Sequence, residues 1–109
     1  MEKRRFPRFA ARFTTLLDRM DVPEGEGTVI NLSRGGCCVA TTLDARPGAI
    51  FRLHIRISED ESPIQIDRAI VHWHLTTYVG MEFLAISQGE EAKLSSVLGR
   101  LAKESAPLP

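Results

Sequence analysis

Hydrophobic and polar residues alternate along much of the chain, most regularly over residues 49–58. The odd-numbered positions there are apolar: Phe51, Leu53, Ile55 and Ile57. Since neighbouring side chains of a strand point to opposite faces, the alternation predicts a strand with one buried face and one face in water. The polar, acidic residues 58–63 then predict a turn, and so a hairpin with the next strand.

Residues 64–75 are predicted to form that next strand, but their alternation changes phase. Apolar residues up to Ile70 share one parity, whereas Val71 and Trp73 hold the other. One additional residue in a strand shifts the parity of all that follow it, so we expect a β-bulge near residues 67–68.

Shorter runs rich in apolar and β-branched residues, each ending at a turn signal, indicate the other strands. The predicted strands are residues 9–18, 28–32, 36–42, 49–58, 64–75 and 78–86. The first also fits a helical turn, but its two threonines favour β structure. The acidic residues 21–27, which include Pro23 and two glycines, predict a loop, and residues 44–48 and 76–77 predict turns.

The hydrophobic period changes at the end of the chain. Apolar residues recur there at helical spacing: Leu94, Val97, Leu98 and Leu101. Ser87, with Glu90 three residues later, forms a capping box, so we expect a helix over residues 87–104 that buries its apolar stripe against the barrel end or a partner. Short antiparallel strands followed by one helix predict a single all-β domain whose sheet, residues 10–86, forms a small barrel or roll.

Composition fits one soluble domain. The chain has 109 residues, of which 43% are hydrophobic and 26% charged. No apolar run approaches the length of a membrane span or forms a secretory signal after the basic start, so we expect a cytoplasmic protein without membrane insertion. The adjacent Cys37 and Cys38 point to opposite faces of a strand, which argues against a disulfide and fits a reducing compartment. One thiol is expected to be buried and the other to face the opposite side.

Charge is balanced overall but uneven along the chain. A formal net charge of zero argues against DNA or RNA as a partner, and most aromatic residues fall at expected core positions. Residues 1–9 form a basic arm, which Pro7 keeps extended and which we expect to be flexible. Such an arm on a neutral body fits a small anionic ligand, and a solvated basic tail is the simpler alternative.

A polar step at residues 31–36 separates two apolar, β-rich runs. Asn31 and Ser33 point to the same face of an extended chain, and Arg34 adds positive charge. Gly35 and Gly36 let the chain turn and let a ligand approach the backbone. The step therefore predicts either a strand end that binds a ligand or an ordinary hairpin in which the same residues form the turn.

Together the arm and this step resemble the signature of the PilZ domain family, bacterial receptors for cyclic di-GMP. The family pattern is R-x-x-x-R, followed after a gap by D/N-x-S-x-x-G. Arg4 and Arg8 match the first motif, and Asn31, Ser33 and Gly36 match the second, with Asn where Asp is more usual. Residues 71–73 and 79–83 also resemble closing strands of the family.

The resemblance implies a six-stranded antiparallel β-barrel with a C-terminal α-helix, and a cyclic di-GMP site for one ligand molecule or an intercalated pair. The implied site residues are Arg4, Arg5, Arg8, Asn31, Ser33, Arg34, Gly35 and Gly36. Arginine suits this ligand because its planar fork grips phosphate, donates to guanine and stacks on bases. The amide of Asn31 can both accept from guanine and donate, although a carboxylate accepts more strongly.

The resemblance further implies a receptor or adaptor that signals to an effector protein, with motility, exopolysaccharide or virulence as the output. An alternative is a PilZ-like protein-interaction module that binds cyclic di-GMP weakly or not at all. Catalysis is not expected, since no nucleophile or phosphate-loop motif is present. His72 and His74 could share a strand face, but no further metal ligand stands at useful spacing, so we expect neither a metal nor a cofactor.

Overall fold

The computed structural model of the chain describes residues 6–19 and 22–109. The described residues form six strands and one helix: β1 Phe9–Arg19, β2 Val22–Leu32, β3 Gly36–Ala40, β4 Ile50–Arg56, β5 Ile64–Leu75, β6 Tyr78–Ala85 and α1 Gln88–Glu104. The strands close into a barrel in the order β1-β2-β3-β6-β5-β4, and neighbouring strands are antiparallel. The predicted fold, an all-β barrel with a terminal helix, is confirmed.

The inward face of the barrel and the apolar stripe of α1 share one core. Phe51, Leu53 and Ile55 are almost fully buried, as the alternation of β4 predicts. The helix stripe belongs to the same cluster, and Leu94 is only 2% exposed. Burying a side chain of this size contributes about 1.5–3 kcal/mol, so α1 is held against the barrel mainly by its apolar face.

Two local predictions are confirmed by the backbone. In the β4–β5 pairing Phe51 faces Ala69 and Leu53 faces Ile66, so residues 67–68 together oppose one residue of β4. This is the expected bulge. The helix begins as the capping box predicts, because the Ser87 side chain accepts a hydrogen bond from the Glu90 N–H.

The loop predicted at residues 21–27 is wrong. β2 starts at Val22 and pairs with β1 over nearly its whole length. The glycines of this segment permit close approach instead of a turn: a Cβ added at Gly27 would lie 2.7 Å from the carbonyl oxygen of Ala40. A register shift after Leu17 accommodates the irregular start of β2 around Pro23.

The two cysteines occupy opposite faces of β3, as predicted. Cys37 belongs to the core cluster, whereas Cys38 lies outside that cluster, although only 4% of its surface is exposed. Cys38 lies between Asn31 of β2 and Gly80 of β6. Its position beside Asn31 places it in the region of the candidate site.

Candidate ligand site

Residues 33–36, which we call the motif loop, form the tight connection between β2 and β3. The Ser33 N–H donates to the Gly36 carbonyl at 2.9 Å. The Ser33 hydroxyl accepts from the N–H groups of Gly35 and Gly36, each at 3.1 Å, and lies 3.3 Å from the Gly36 carbonyl as a donor. The side chain is only 4% exposed. Ser33 therefore holds the loop closed, and its hydroxyl can meet a ligand only by giving up one of these bonds.

Gly36 lets β3 approach β6. It pairs with Glu82, and a Cβ added to it would overlap the carbonyl oxygen of Met81. The adjacent Gly35 joins the loop to the same strand, because its carbonyl accepts the Phe83 N–H at 2.9 Å. The glycine at position 36 thus has a structural requirement that is independent of any ligand.

Arg8 and Asn31 come together at the start of the barrel. The Arg8 guanidinium donates to Asn31 Oδ1 at 3.3 Å, and both residues are partly buried. The Arg8 carbonyl accepts the Leu108 N–H at 2.7 Å, so the main chain of Arg8 is held as well. Arg8, the second arginine of the R-x-x-x-R motif, thus contacts Asn31, the first residue of the D/N-x-S-x-x-G motif.

The positive charge of Arg8 affects the pKa of both thiols of β3. Burial raises the pKa of Cys37 to about 12, and burial also raises the pKa of Cys38. In both cases the Arg8 cation acts in the opposite direction and lowers the pKa. The guanidinium is therefore close to the part of β3 beside Asn31.

Arg34 points from the motif loop toward α1. Its guanidinium lies 3.4 Å from a carboxylate oxygen of Glu91 and 5.7 Å from the centroid of the Phe6 ring. Phe6 also packs on Gly35, where an added Cβ would lie 2.9 Å from the ring. The arm, the motif loop and the first turn of the helix thus meet at Arg34.

Of the eight predicted site residues, Arg4 and Arg5 lie outside the described residues. The other six occupy one end of the barrel: Arg8, Asn31, Ser33, Arg34, Gly35 and Gly36. Arg8 and Asn31 are in direct contact, Ser33 and the glycines form the loop, and Arg34 is held by the helix.

Sequence reasoning missed Trp73 as a neighbour of this site. A second register shift, between Val71 and Trp73, turns the side chain of Trp73 outward, and the residue is 43% exposed. Trp73 pairs with Gly80 and lies across it, since a Cβ at Gly80 would overlap the indole. Asn31, Cys38, Gly80 and Trp73 form one row across four strands. A glycine opposite a tryptophan is the signal that could have placed the ring on this face.

Two of the three histidines lie beside a carboxylate. His72 lies 2.6 Å from Glu82, and His54 lies 2.9 Å from Asp18. Within residues 6–19 and 22–109, no three His, Cys, Asp or Glu side chains converge as metal ligands. Over the same residues, no helix is both long enough and apolar enough to cross a bilayer.

Comparison with known proteins gives a family match and a shared fold. The model of the family described as PilZ domain matches residues 2–100. No curated protein matches the sequence. The Bacillus subtilis inhibitor of motility MotI/DgrA is 23% identical with a TM-score of 0.76, and the match covers 97% of this chain and 54% of that protein. This chain thus spans about half of the Bacillus protein's length.

Two further solved structures resemble the chain over most of their own length. The PilZ domain of YcgR from Escherichia coli, solved with c-di-GMP, is 18% identical with a TM-score of 0.74, and the match covers 94% of each chain. The PilZ domain of CeSA from a cellulose-synthesizing bacterium is 17% identical with a TM-score of 0.67, covering 87% of this chain and 97% of that one. At these identities the structural comparison shows the fold alone.

Proposed function

Since the chain belongs to the PilZ domain family, we propose that it is a receptor for cyclic di-GMP. The observation that carries the proposal is the contact of Arg8 with Asn31 at 3.3 Å, which joins the two sequence motifs beside the motif loop. The PilZ domain of YcgR, similar in fold, was solved with this ligand.

The arrangement suits the chemistry of cyclic di-GMP, which offers two phosphates and two guanines. The Arg8 fork can bind a phosphate bidentately or donate to guanine O6 and N7. Asn31 provides an amide beside it, with an acceptor and a donor in one group. Arg4 and Arg5 of the arm are assigned the role of further cations over the ligand. Ser33, Gly35 and Gly36 then serve by fixing the loop against which the ligand lies.

An exposed indole extends this surface. Trp73 lies in the same row as Asn31, separated from it by Cys38 and Gly80. These two intervening residues are small, so a planar base could reach the tryptophan across them without meeting a large side chain. Stacking on an aromatic ring is worth about 1–3 kcal/mol per base, which makes Trp73 both a contact and an optical reporter.

We further propose that the receptor acts in the cytoplasm and passes its signal to a partner protein, with motility, exopolysaccharide synthesis or virulence as the output. Ordering the arm on the ligand would fix residues at about 1–2 kcal/mol each and would create a surface absent from the free protein. Amide exchange of residues 3–12 that is the same with and without ligand would contradict this step.

The test is calorimetric titration with cyclic di-GMP, with cyclic di-AMP as the ligand control. Arg8→Ala should abolish or strongly weaken binding. Arg46→Ala is the matched control, because Arg46 is exposed and lies in the β3–β4 connection, which follows the end of β3 opposite to the motif loop. Micromolar or tighter binding, about −8 kcal/mol, that is lost only with Arg8→Ala would establish the site.

One observation favours a second candidate, a protein-interaction module. Leu75 is 70% exposed and Tyr78 45% exposed, and they face each other across the β5–β6 hairpin next to Trp73. An exposed apolar face of this kind is typical of a surface that binds protein. Absence of heat with cyclic di-GMP for the unaltered protein, in the presence of a folded barrel, would favour this candidate over the receptor.

A further inference from the structure

The C-terminal part of the chain touches the candidate site at two separate places. At the first turn of α1, Glu91 forms an ion pair with Arg34 of the motif loop. Beyond the helix, residues 105–109, which we call the tail, return to the arm, where Leu108 donates its N–H to the Arg8 carbonyl. The two contacts involve different site residues, and they have opposite consequences for an anionic ligand.

The tail contact keeps Arg8 in place. Leu108 stands between Pro107 and Pro109, which lack an N–H and restrict the backbone to extended conformations. Its own N–H makes a short bond of 2.7 Å to Arg8, while the Arg8 side chain donates to Asn31 at 3.3 Å. The main chain and the side chain of Arg8 are thus both fixed before a ligand arrives. A group already held in its binding position loses less conformational entropy on binding.

The helix contact has the reverse effect. The Arg34 guanidinium lies 3.4 Å from Glu91, so a carboxylate already neutralises part of its charge. A phosphate that approached Arg34 would have to displace this carboxylate or bind beside it. The main chain of Glu91 cannot follow Arg34, because α1 is held against the barrel by its buried apolar stripe and by a Lys93–Ser62 hydrogen bond at 2.9 Å.

We propose that the C-terminal segment tunes the affinity of the site in opposite directions from its two ends. Leu108 strengthens cyclic di-GMP binding by positioning Arg8, and Glu91 weakens it by holding Arg34. This inference rests on the proposed function. Both are positioning residues, since they act through the two arginines. Ligand binding consequently changes a contact of α1, because the ligand and Glu91 compete for the Arg34 guanidinium.

Two pairs of variants test the proposal by calorimetric titration with cyclic di-GMP. Leu108→Pro removes the donor, and Ala106→Pro adds a proline to the same tail while leaving the Leu108 N–H in place. We expect Leu108→Pro to weaken binding about three- to tenfold and Ala106→Pro to leave it unchanged. Leu108→Ala, which keeps the N–H, should bind more tightly than Leu108→Pro.

The second pair changes one negative charge at two ion pairs of α1. Glu91→Gln should tighten binding about two- to fivefold at low salt, the range expected for an exposed pair. The gain should shrink as salt is added, because screening weakens the interaction that is removed. Glu61→Gln removes the same charge from the exposed Arg100–Glu61 pair at 2.9 Å and is expected to leave the dissociation constant unchanged, because the buried apolar stripe keeps α1 in place.

Trypsin cleavage after Arg8 in the ligand-free protein, followed by mass spectrometry, tests the tail contact without cyclic di-GMP. Leu108→Pro should be cut faster than Ala106→Pro, and equal rates would overturn the tail contact. Equal dissociation constants for the unaltered protein, Leu108→Pro and Glu91→Gln would overturn the tuning while leaving the receptor function intact. No binding by any of these proteins would overturn the receptor function and the tuning together.

Discussion

Replacing Gly36 by alanine tests whether the motif glycine is required by the fold. Gly36 is buried and pairs with Glu82, and its added Cβ would overlap the carbonyl oxygen of Met81. That atom belongs to the backbone of the neighbouring strand, so relief of the overlap requires β3 and β6 to move apart. Overpacking of this kind costs about 1–3 kcal/mol, and a rigid neighbour favours the upper end.

The expected loss can be worked out from two opposing terms. The strain expected in the folded alanine variant is about 3 kcal/mol, and the lower conformational entropy of its unfolded chain offsets about 0.4–1 kcal/mol of this. We therefore expect Gly36→Ala to lower the free energy of unfolding by about 2–3 kcal/mol. For a domain of this size that corresponds to a melting temperature lower by about 8–12 °C.

Gly99→Ala provides the matched control, since the same atom is added where nothing lies within 4 Å. Gly99 is exposed inside α1, where alanine is favoured by about 1 kcal/mol. Gly35→Ala is intermediate, because its Cβ meets only the Phe6 ring, a side chain that can turn aside. Urea unfolding followed by circular dichroism should thus show that the free energy of unfolding decreases in the order Gly99→Ala, Gly35→Ala, Gly36→Ala. A Gly36→Ala protein as stable as the unaltered chain would refute the close approach of β3 and β6.

Three further predictions concern the core, the thiols and the helix start. Leu94→Ala should cost about 2–5 kcal/mol in urea unfolding, because it leaves a cavity where α1 meets the barrel; a loss below about 1 kcal/mol would mean that the helix is not held by this stripe. Cys37 and Cys38 should resist alkylation at pH 8 and react quickly in urea, since burial raises the pKa of both thiols; rapid labelling of the native protein would contradict their burial. The hydrogen bond from the Gln65 N–H lowers the pKa of Glu90 from its ordinary 4.5, so this carboxylate stabilises the fold above pH 4.5 and loses that effect as pH falls through the lowered value. The unfolding free energy of Glu90→Gln should accordingly fall less on acidification than that of the unaltered protein, and parallel curves would count against the assignment.

Features governed by neighbouring residues could be predicted from the sequence. The bulge at residues 67–68 follows from the parity of the apolar residues, and the helix start follows from the spacing of Ser87 and Glu90. Both depend on interactions within a few positions of the chain or on one partner strand. The second phase change, at Trp73, does not follow from the alternation within β5. Gly80 could have indicated it, but only once the register of β5 against β6 is known.

Contacts between distant segments were the part that sequence patterns could not supply. Glycines in the segment before residue 28 read as turn residues, but Gly27 is needed for approach to the Ala40 backbone. Likewise, Arg34 carries no sign in the sequence that its partner is Glu91. Such pairings depend on how the barrel closes and where the helix crosses it, and many residues could have met these positions.

The motif itself divides into residues that hold the loop and residues that remain for a ligand. Ser33 is committed to three hydrogen-bonding contacts inside the loop, and Gly36 is required by β6. A chain could therefore retain both solely to make this turn, so their presence is weak support for binding. Arg8 and Asn31 are different, because their contact closes no turn and holds a partly buried cation beside the motif loop. Variants at Arg8 and Asn31 consequently test the receptor function, whereas a Ser33 variant that lost binding would have to be shown first to keep its loop.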